Sequence, residues 1–235
     1  MPFLIPRQSN NKGLTTILIV LNCCLLLIFI VLILSPPKAA SAPVLLQDVL
    51  EAMQQETEYS LTIQEKSDQY TLLFQGEYLE GQLYGTLSEY DLQLYRKKGT
   101  LYVKESESKD WQMASELELE GLNFFLYTPL EILELLNLNQ ARFGPDDSVN
   151  GKTLKTIYLP LESQLLPRFF PDDNEMIIFN GKEEAELFLW VDLEELFLSR
   201  MAMVISLETP SHGEVQITRA FMIEPGRKRY PAGTL

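Results

Sequence analysis

The stretch YSLTIQEKSDQYTLLFQGEYLEGQLYGTLSEYDLQLYRKKGTLYVKE, Tyr59 to Glu105, decides the fold. Leu61 and Ile63 alternate with Thr62 and Gln64. Leu72, Phe74 and Tyr78 alternate with Thr71, Gln75 and Glu77. Leu92 and Leu94 alternate with Asp91 and Gln93, and Leu101 and Val103 with Tyr102 and Lys104. Period-two alternation gives each strand one buried and one wet face. The breaks at Lys66-Ser67-Asp68, Glu80-Gly81, Ser88-Glu89 and Lys97-Lys98-Gly99 have the length of hairpin turns. Gly76, Gly81 and Gly85 sit in or beside the second and third strands, where glycine marks a bulge or bend. The expectation is four or five consecutive antiparallel strands in a curled sheet.

Outward from this core, Leu46, Val49, Leu50 and Met53 share one face of a helix of three to four turns that covers the sheet. C-terminal to it, Trp111 to Ser115 and Glu116 to Leu122 read as further strands. Thr128-Pro129-Leu130-Glu131 opens a helix: Thr128 caps, Pro129 suits the first position and Glu131 completes a capping box. Ala141 to Leu161 reads as a hairpin turning at Asp146 to Gly151, and Gln164 to Phe170 as a short helix. Ala185 to Asp192 places Leu187, Leu189 and Val191 on one side and Phe188 and Trp190 on the other, the pattern of a strand covered on both faces. Met201, Met203, Ile205 and Leu207 alternate. So do Val215, Ile217, Phe221 and Ile223, with a break at Arg219.

Leu14 to Leu34 is an apolar run without a charge, and roughly 20 such residues cross a bilayer core as a helix. Arg7 and Lys12 precede it with no acid nearby, so the basic side stays cytoplasmic and the large C-terminal part lies outside. The expected organisation is a cytoplasmic stub (1–13), a single transmembrane anchor (14–35), a stiff Pro/Ala/Ser linker (36–43), one extracytoplasmic domain (44–224) and a basic tail (225–235) with Arg227-Lys228-Arg229. The formal charge is −14, and its only contribution from residues 1–35 is two cations. So acidic a domain excludes nucleic acid, which needs Lys and Arg to displace counterions. Both cysteines, Cys23 and Cys24, lie inside the apolar run, leaving the exported part no disulfide and no thiolate metal site. Their alternative use is lipidation, which Val20-Leu21-Asn22 disfavours by supplying no small residues before Cys23.

No catalytic constellation stands out. His212 is the only histidine and sits in a Pro/Gly turn, with no nucleophile or second ligand to pair with it. Asp146, Ser148, Asn150 and Gly151 start like a calcium loop, but Ile157 stands where the bidentate glutamate belongs. Asp172-Asp173, Glu183-Glu184 and Glu194-Glu195 lie in turns or at strand edges, where solvation is the ordinary role of paired carboxylates. No cofactor or metal is expected. Met201 and Met203, with Met222 nearby, are either core or the lining of an adaptable apolar pocket.

The order of elements resembles the LolA-like lipoprotein-carrier fold and the mycobacterial LppX/LprG-type envelope lipoproteins. The resemblance covers about residues 44 to 224 and rests on four features. These are the helix before the meander, the helix at Thr128-Pro129-Leu130, the Val149-Asn150-Gly151-Lys152-Thr153 hairpin and the strand Phe188-Leu189-Trp190-Val191-Asp192 running toward Arg200-Met201. It implies an α+β architecture, with an incomplete antiparallel β-barrel closed by helices. It also implies an apolar cavity for a lipid or acylated molecule and no catalytic residue. Leu61, Ile63, Leu72, Phe74, Leu83, Leu92, Leu94, Leu133, Leu189, Met201 and Met203 are the candidate cavity lining. The expected function is membrane-anchored, non-enzymatic lipid or lipoprotein binding outside the cytoplasm. The alternative is a scaffold whose sheet is filled by its own side chains and which binds an envelope protein.

Overall fold

The computed structural model describes residues 41–105, 108, 110–149, 151–169, 183–209 and 213–226, with the backbone alone at 208, 209 and 214. They fall in one compact unit that begins at Ser41. The apolar run 14–34, both cysteines, Asn150, Asp172-Asp173, His212 and residues 227–235 of the basic tail lie outside the described residues. Among the described residues no helix is long and apolar enough to cross a membrane.

Helix α1 (Ala42–Gln55) comes first, with Pro43 in its opening turn. Its missing N–H falls where a helix has no internal acceptor for one. Leu45, Leu46, Val49, Leu50 and Met53 form its buried stripe, and each such side chain contributes about 1.5–3 kcal/mol on leaving water. The meander follows: β1 (Glu58–Lys66), β2 (Thr71–Leu79), β3 (Gln82–Leu87), β4 (Leu92–Lys97) and β5 (Thr100–Glu105). Each pairs antiparallel with the next. At Glu80-Gly81 and Lys98-Gly99 both turn residues have positive φ, the twist that lets two-residue loops join right-twisted strands.

Two glycines bring β2 and β3 into close approach. Gly76 and Gly85 oppose each other on β2 and β3. A Cβ on Gly85 would lie 2.3 Å from the Gln75 carbonyl oxygen and 2.6 Å from the Phe74 ring, so two bare backbones approach and the ring lies against them.

The remaining strands are β6 (Gln112–Met113), β7 (Arg142–Phe143), β8 (Asp147–Val149), β9 (Lys152–Pro160), β10 (Glu184–Asp192), β11 (Phe197–Thr209) and β12 (Gly213–Pro225). The described sheet runs β6-β5-β4-β3-β2-β1-β12-β11-β10-β9-β7, with β8 also on β9, and β6 does not pair with β7. It is an open, mostly antiparallel sheet, consistent with an incomplete barrel. One face carries the core: Leu61, Ile63, Phe74, Leu94, Val103, Leu189, Met203, Ile205 and Phe221 are all buried in a single cluster.

Three expectations are corrected. Trp111 to Leu122 is not two strands. Only Gln112–Met113 pairs with β5; a 3-10 turn (Ala114–Leu117) and helix α2 (Gly121–Phe125) follow. Alternation there is too short to hold a strand, and Glu118 takes a left-handed conformation that ends the run. Second, β10 is not covered on both faces. Phe188 and Trp190 are only half-buried on the outer side, sheltered by each other and by the Tyr158 ring, 5.1 Å from Phe188. Third, Met222 does not join Met201 and Met203: it points outward, 47% exposed, while they are buried inside.

Candidate functional site

The candidate site is the inward face of the sheet and the helical lid on it. Period two brings Leu61 and Ile63 of β1, Leu72 and Phe74 of β2, Leu83 of β3, Leu92 and Leu94 of β4, Leu189 of β10 and Met201 and Met203 of β11 onto that face. Leu133 joins them from helix α3 (Pro129–Glu134). Nine of the eleven are buried, and Leu72 and Leu92 are half-buried against the same cluster. Ile63, Phe74, Leu189 and Met203 are 0% exposed, so no water-sized space adjoins them in this conformation.

The cover is made of short pieces. It comprises α1, the Ala114–Leu117 turn, α2, α3 and 3-10 segments at Leu138–Gln140 and Ser163–Arg168. Helix α3 starts with the expected capping box: the Glu131 N–H donates to Thr128 Oγ1 at 3.3 Å and the Thr128 N–H donates to Glu131 Oε2 at 2.8 Å. Five- and six-residue helices are too short to be stable alone, so tertiary ties hold them.

Two arginines supply those ties, and sequence reading missed both. Arg219 occupies an inward position of β12, directly across from Glu65 on β1. Its Nε donates to Glu65 Oε2, Nη1 to the Phe124 carbonyl at 3.0 Å and Nη2 to the Phe169 carbonyl at 3.4 Å. The guanidinium carbon sits 5.7 Å from the Phe125 ring centre. Tyr70 Oη donates to the other Glu65 oxygen at 2.8 Å. One cation thus joins β1 and β12 to both α2 and the segment ending at Phe169. The apparent break in alternation at Arg219 is instead a charged residue in register, and Glu65 continues the Leu61, Ile63 row. A pair of opposite charges on inward parity was the available signal.

Arg96 is the second tie. It follows Leu92 and Leu94 on the inward parity of β4 and forks onto Glu131 with two bonds of 2.8 Å. Its Nε donates to Asn123 Oδ1 at 2.7 Å, and the group lies 5.4 Å from the Tyr127 ring centre. Burial alone would raise the Glu131 carboxyl. The Arg96 fork and the Thr128 N–H outweigh it and hold Glu131 below the usual carboxylate range. Beneath α3, Tyr59 stacks on Tyr78 at 4.6 Å, and burial pushes its phenol well above the ordinary value. The Tyr59 hydroxyl has no hydrogen-bond partner among the described residues.

Outside the lid runs an open groove of about 570 Å³ between α1 and α3. Pro43, Val44 and Leu50 form one wall, and Leu133, Leu136 and Leu138 the other. A smaller hollow beside β9 to β12 holds Lys152, which bridges Asp192 at 2.9 Å and Glu195 at 3.3 Å. This tie closes the Asp192 turn. The lysine bond, together with the Glu194 and Glu195 N–H groups, outweighs burial and lowers the Asp192 pKa. Among the described residues no group of three or more His, Cys, Asp or Glu could hold a metal.

Fourteen chains of solved structures match this arrangement. Lipoprotein LppX of Mycobacterium tuberculosis superposes with a TM-score of 0.50 at 11% identity, over 78% of this chain and 93% of its own. The fold is LppX-like. LprF of Mycobacterium bovis matches at 14% identity and TM-score 0.45, over 76% of this chain and 90% of its own. A DUF1329 family protein of Desulfovibrio piger matches at 10% and 0.32, over 84% and 96%. No protein-family model matches the sequence, and no curated protein does. The LppX likeness bears out the expected LppX-type fold.

Proposed function

We propose that this chain is a membrane-anchored, extracytoplasmic lipid-binding protein without catalytic chemistry, which takes an acyl chain onto the inward face of its sheet. One observation carries the reading. The apolar face of an open, curled sheet is covered by one four-turn helix and a set of one- to two-turn pieces, held by two arginines rather than by long packed helices. Short, separately tied elements occupy the low end of local stability, so the cover opens at less cost than the sheet unfolds. An acyl chain entering beneath it regains about 0.8 kcal/mol per buried methylene. Ten methylenes therefore exceed the loss of one clasp.

A second reading is favoured by the absence of water-sized space beside Ile63, Phe74, Leu189 and Met203. On it the interior is a permanent core and the domain is a tethered scaffold for an envelope protein. Uptake of a fluorescent acyl probe separates the two. Probe bound by the full chain in lipid-free detergent, beyond that bound by the isolated 1–40 segment, supports lipid binding. Equal uptake by both removes it and leaves the scaffold.

A further inference from the structure

We infer that the outward face of β3 to β6 is a docking surface for an anionic phospholipid bilayer. It lies on the opposite side of the sheet from the face that the lipid-binding reading uses, and it is independent of that reading. Register sets Tyr84, Tyr95, Tyr102 and Met113 side by side across the four strands. Trp111, just before β6, leans over this row, its ring centre 6.2 Å from that of Tyr84 and 6.1 Å from that of Tyr95, edge-on to both. Tyr84, Trp111 and Met113 are 49%, 38% and 40% exposed, so the face is an apolar patch open to its surroundings, the usual mark of an interaction surface. Three lysines border the rings. Lys104 places its Nζ 5.6 Å from the Trp111 ring centre. Lys97 follows Tyr95 on the same side of β4, and Lys98 occupies the turn after it. Among the described residues none of the three is in an ion pair. No outward position of β3 to β6 carries a carboxylate; Glu77, opposite Tyr84 on β2, and Asp110 stand at the margin. In a chain of formal charge −14 this is a local surplus of cations.

Composition and size name the occupant. Protein interfaces are depleted of lysine, whereas Trp and Tyr rings at headgroup level with lysines reaching to the phosphates are the composition of a membrane–water boundary. Strands about 4.8 Å apart, with same-face residues about 6.8 Å apart along each, give a footprint roughly 15 Å square. That is about 200 Å², a quarter of the ~800 Å² that each partner contributes to a stable protein interface. A bilayer needs no such area, because several rings enter it and the cations meet its surface charge. The acidity of the rest of the domain does not prevent contact. Charges are screened over about 8 Å at physiological ionic strength, so the bilayer responds to the side that faces it. Each lysine there strengthens partitioning about fivefold.

The chain has two tryptophans, Trp111 and Trp190, and this makes the test internal. Trp190→Phe leaves Trp111 as the reporter, and Trp111→Phe leaves Trp190, on β10, as the control. The difference between the unsubstituted chain and Trp111→Phe gives the Trp111 signal if Trp190→Phe does not fold. Each full chain is incorporated into vesicles of phosphatidylglycerol or of phosphatidylcholine, brominated on the acyl chains. In phosphatidylglycerol, Trp111 is expected to be quenched at least threefold more than Trp190, and its quenching to fall at least threefold in phosphatidylcholine. Lys97→Gln, Lys98→Gln and Lys104→Gln together should produce the same fall in phosphatidylglycerol. Trp111 quenched no more than Trp190, or equally in the two lipids, overturns the docking face. Absence of quenching with a concentration-dependent dimer in sedimentation also overturns it, and assigns the patch to a second copy of the chain. Acyl-probe uptake is not read in any arm, so failure here leaves the lipid-binding reading to its own test.

Discussion

Replacing Arg219 by methionine removes the cation from the most buried ion pair among the described residues. The side chains of Arg219 and Glu65 are 2% and 6% exposed. The variant leaves a buried carboxylate that keeps its bond from Tyr70 and removes the guanidinium donors from the carbonyls of Phe124, which retains its bond from the Tyr127 N–H, and of Phe169. Breaking a buried ion pair from one side costs about 3–5 kcal/mol, a large share of the roughly 5–15 kcal/mol that stabilises a domain. For a domain of this size about 1 kcal/mol shifts Tm by ~2–4 °C, so Arg219→Met should melt about 6–20 °C lower. Glu65→Leu with Arg219→Met should recover part of that loss, because two apolar side chains leave no buried charge. Near-UV circular dichroism melts of the four-member cycle provide the coupling energy, and hydrogen exchange locates the change. Amides of Gly121–Phe125 should lose protection before those of β10 and β11. A single-variant loss below about 1 kcal/mol, or a double variant no better than the single, would refute the clasp.

Other outcomes follow from the same structure. Gly85→Ala pushes a methyl against the Gln75 carbonyl and the Phe74 ring; it should cost at least the ~1–3 kcal/mol of ordinary overpacking, read from urea midpoints. Thr128→Ala removes the α3 cap and should cost about 0.5–2 kcal/mol, with amide exchange rising most at residues 130–134. Tyr59→Phe removes a buried hydroxyl that has no partner and should leave stability unchanged or raised in the same urea assay. The Glu131 pKa is lowered in the folded state, so its contribution is present above the unfolded carboxylate pKa of about 4.3 and is lost as pH falls through the folded value. Stability should therefore decline below about pH 4.3, and Glu131→Gln should flatten that part of the profile.

Much of the fold is legible in the sequence because the physics is local. Two-residue turns with positive φ at Glu80-Gly81 and Lys98-Gly99, and strict alternation between them, define β1 to β5 almost to the residue. The Thr128–Glu131 box is equally local. Legibility fails where distant chain decides. Whether Trp111 to Leu122 continues the sheet depends on a partner edge, and β5 accepts only two residues of it. The outer aromatics of β10 suggested a second covering layer, yet a T-shaped contact with Tyr158 from β9 shelters them instead. The candidate lining was legible as an inward face, because parity alone brings those residues together. The clasps were not, because Arg219 reads as an interruption and Arg96 carries no signal of its own until Glu65 and Glu131, 154 and 35 residues away, fall opposite them.

The central claim is that the inward face admits a hydrocarbon chain when its cover lifts. Photo-crosslinking tests it most directly: the full chain in membranes carrying a phospholipid with a photoactivatable acyl terminus, with adducts mapped by peptide mass spectrometry. The account predicts adducts on β1 at Leu61–Ile63 and on β10 and β11 at Leu187–Met203, increased by Arg96→Met. Adducts confined to residues 14–34, with none on the sheet in either chain, would contradict it.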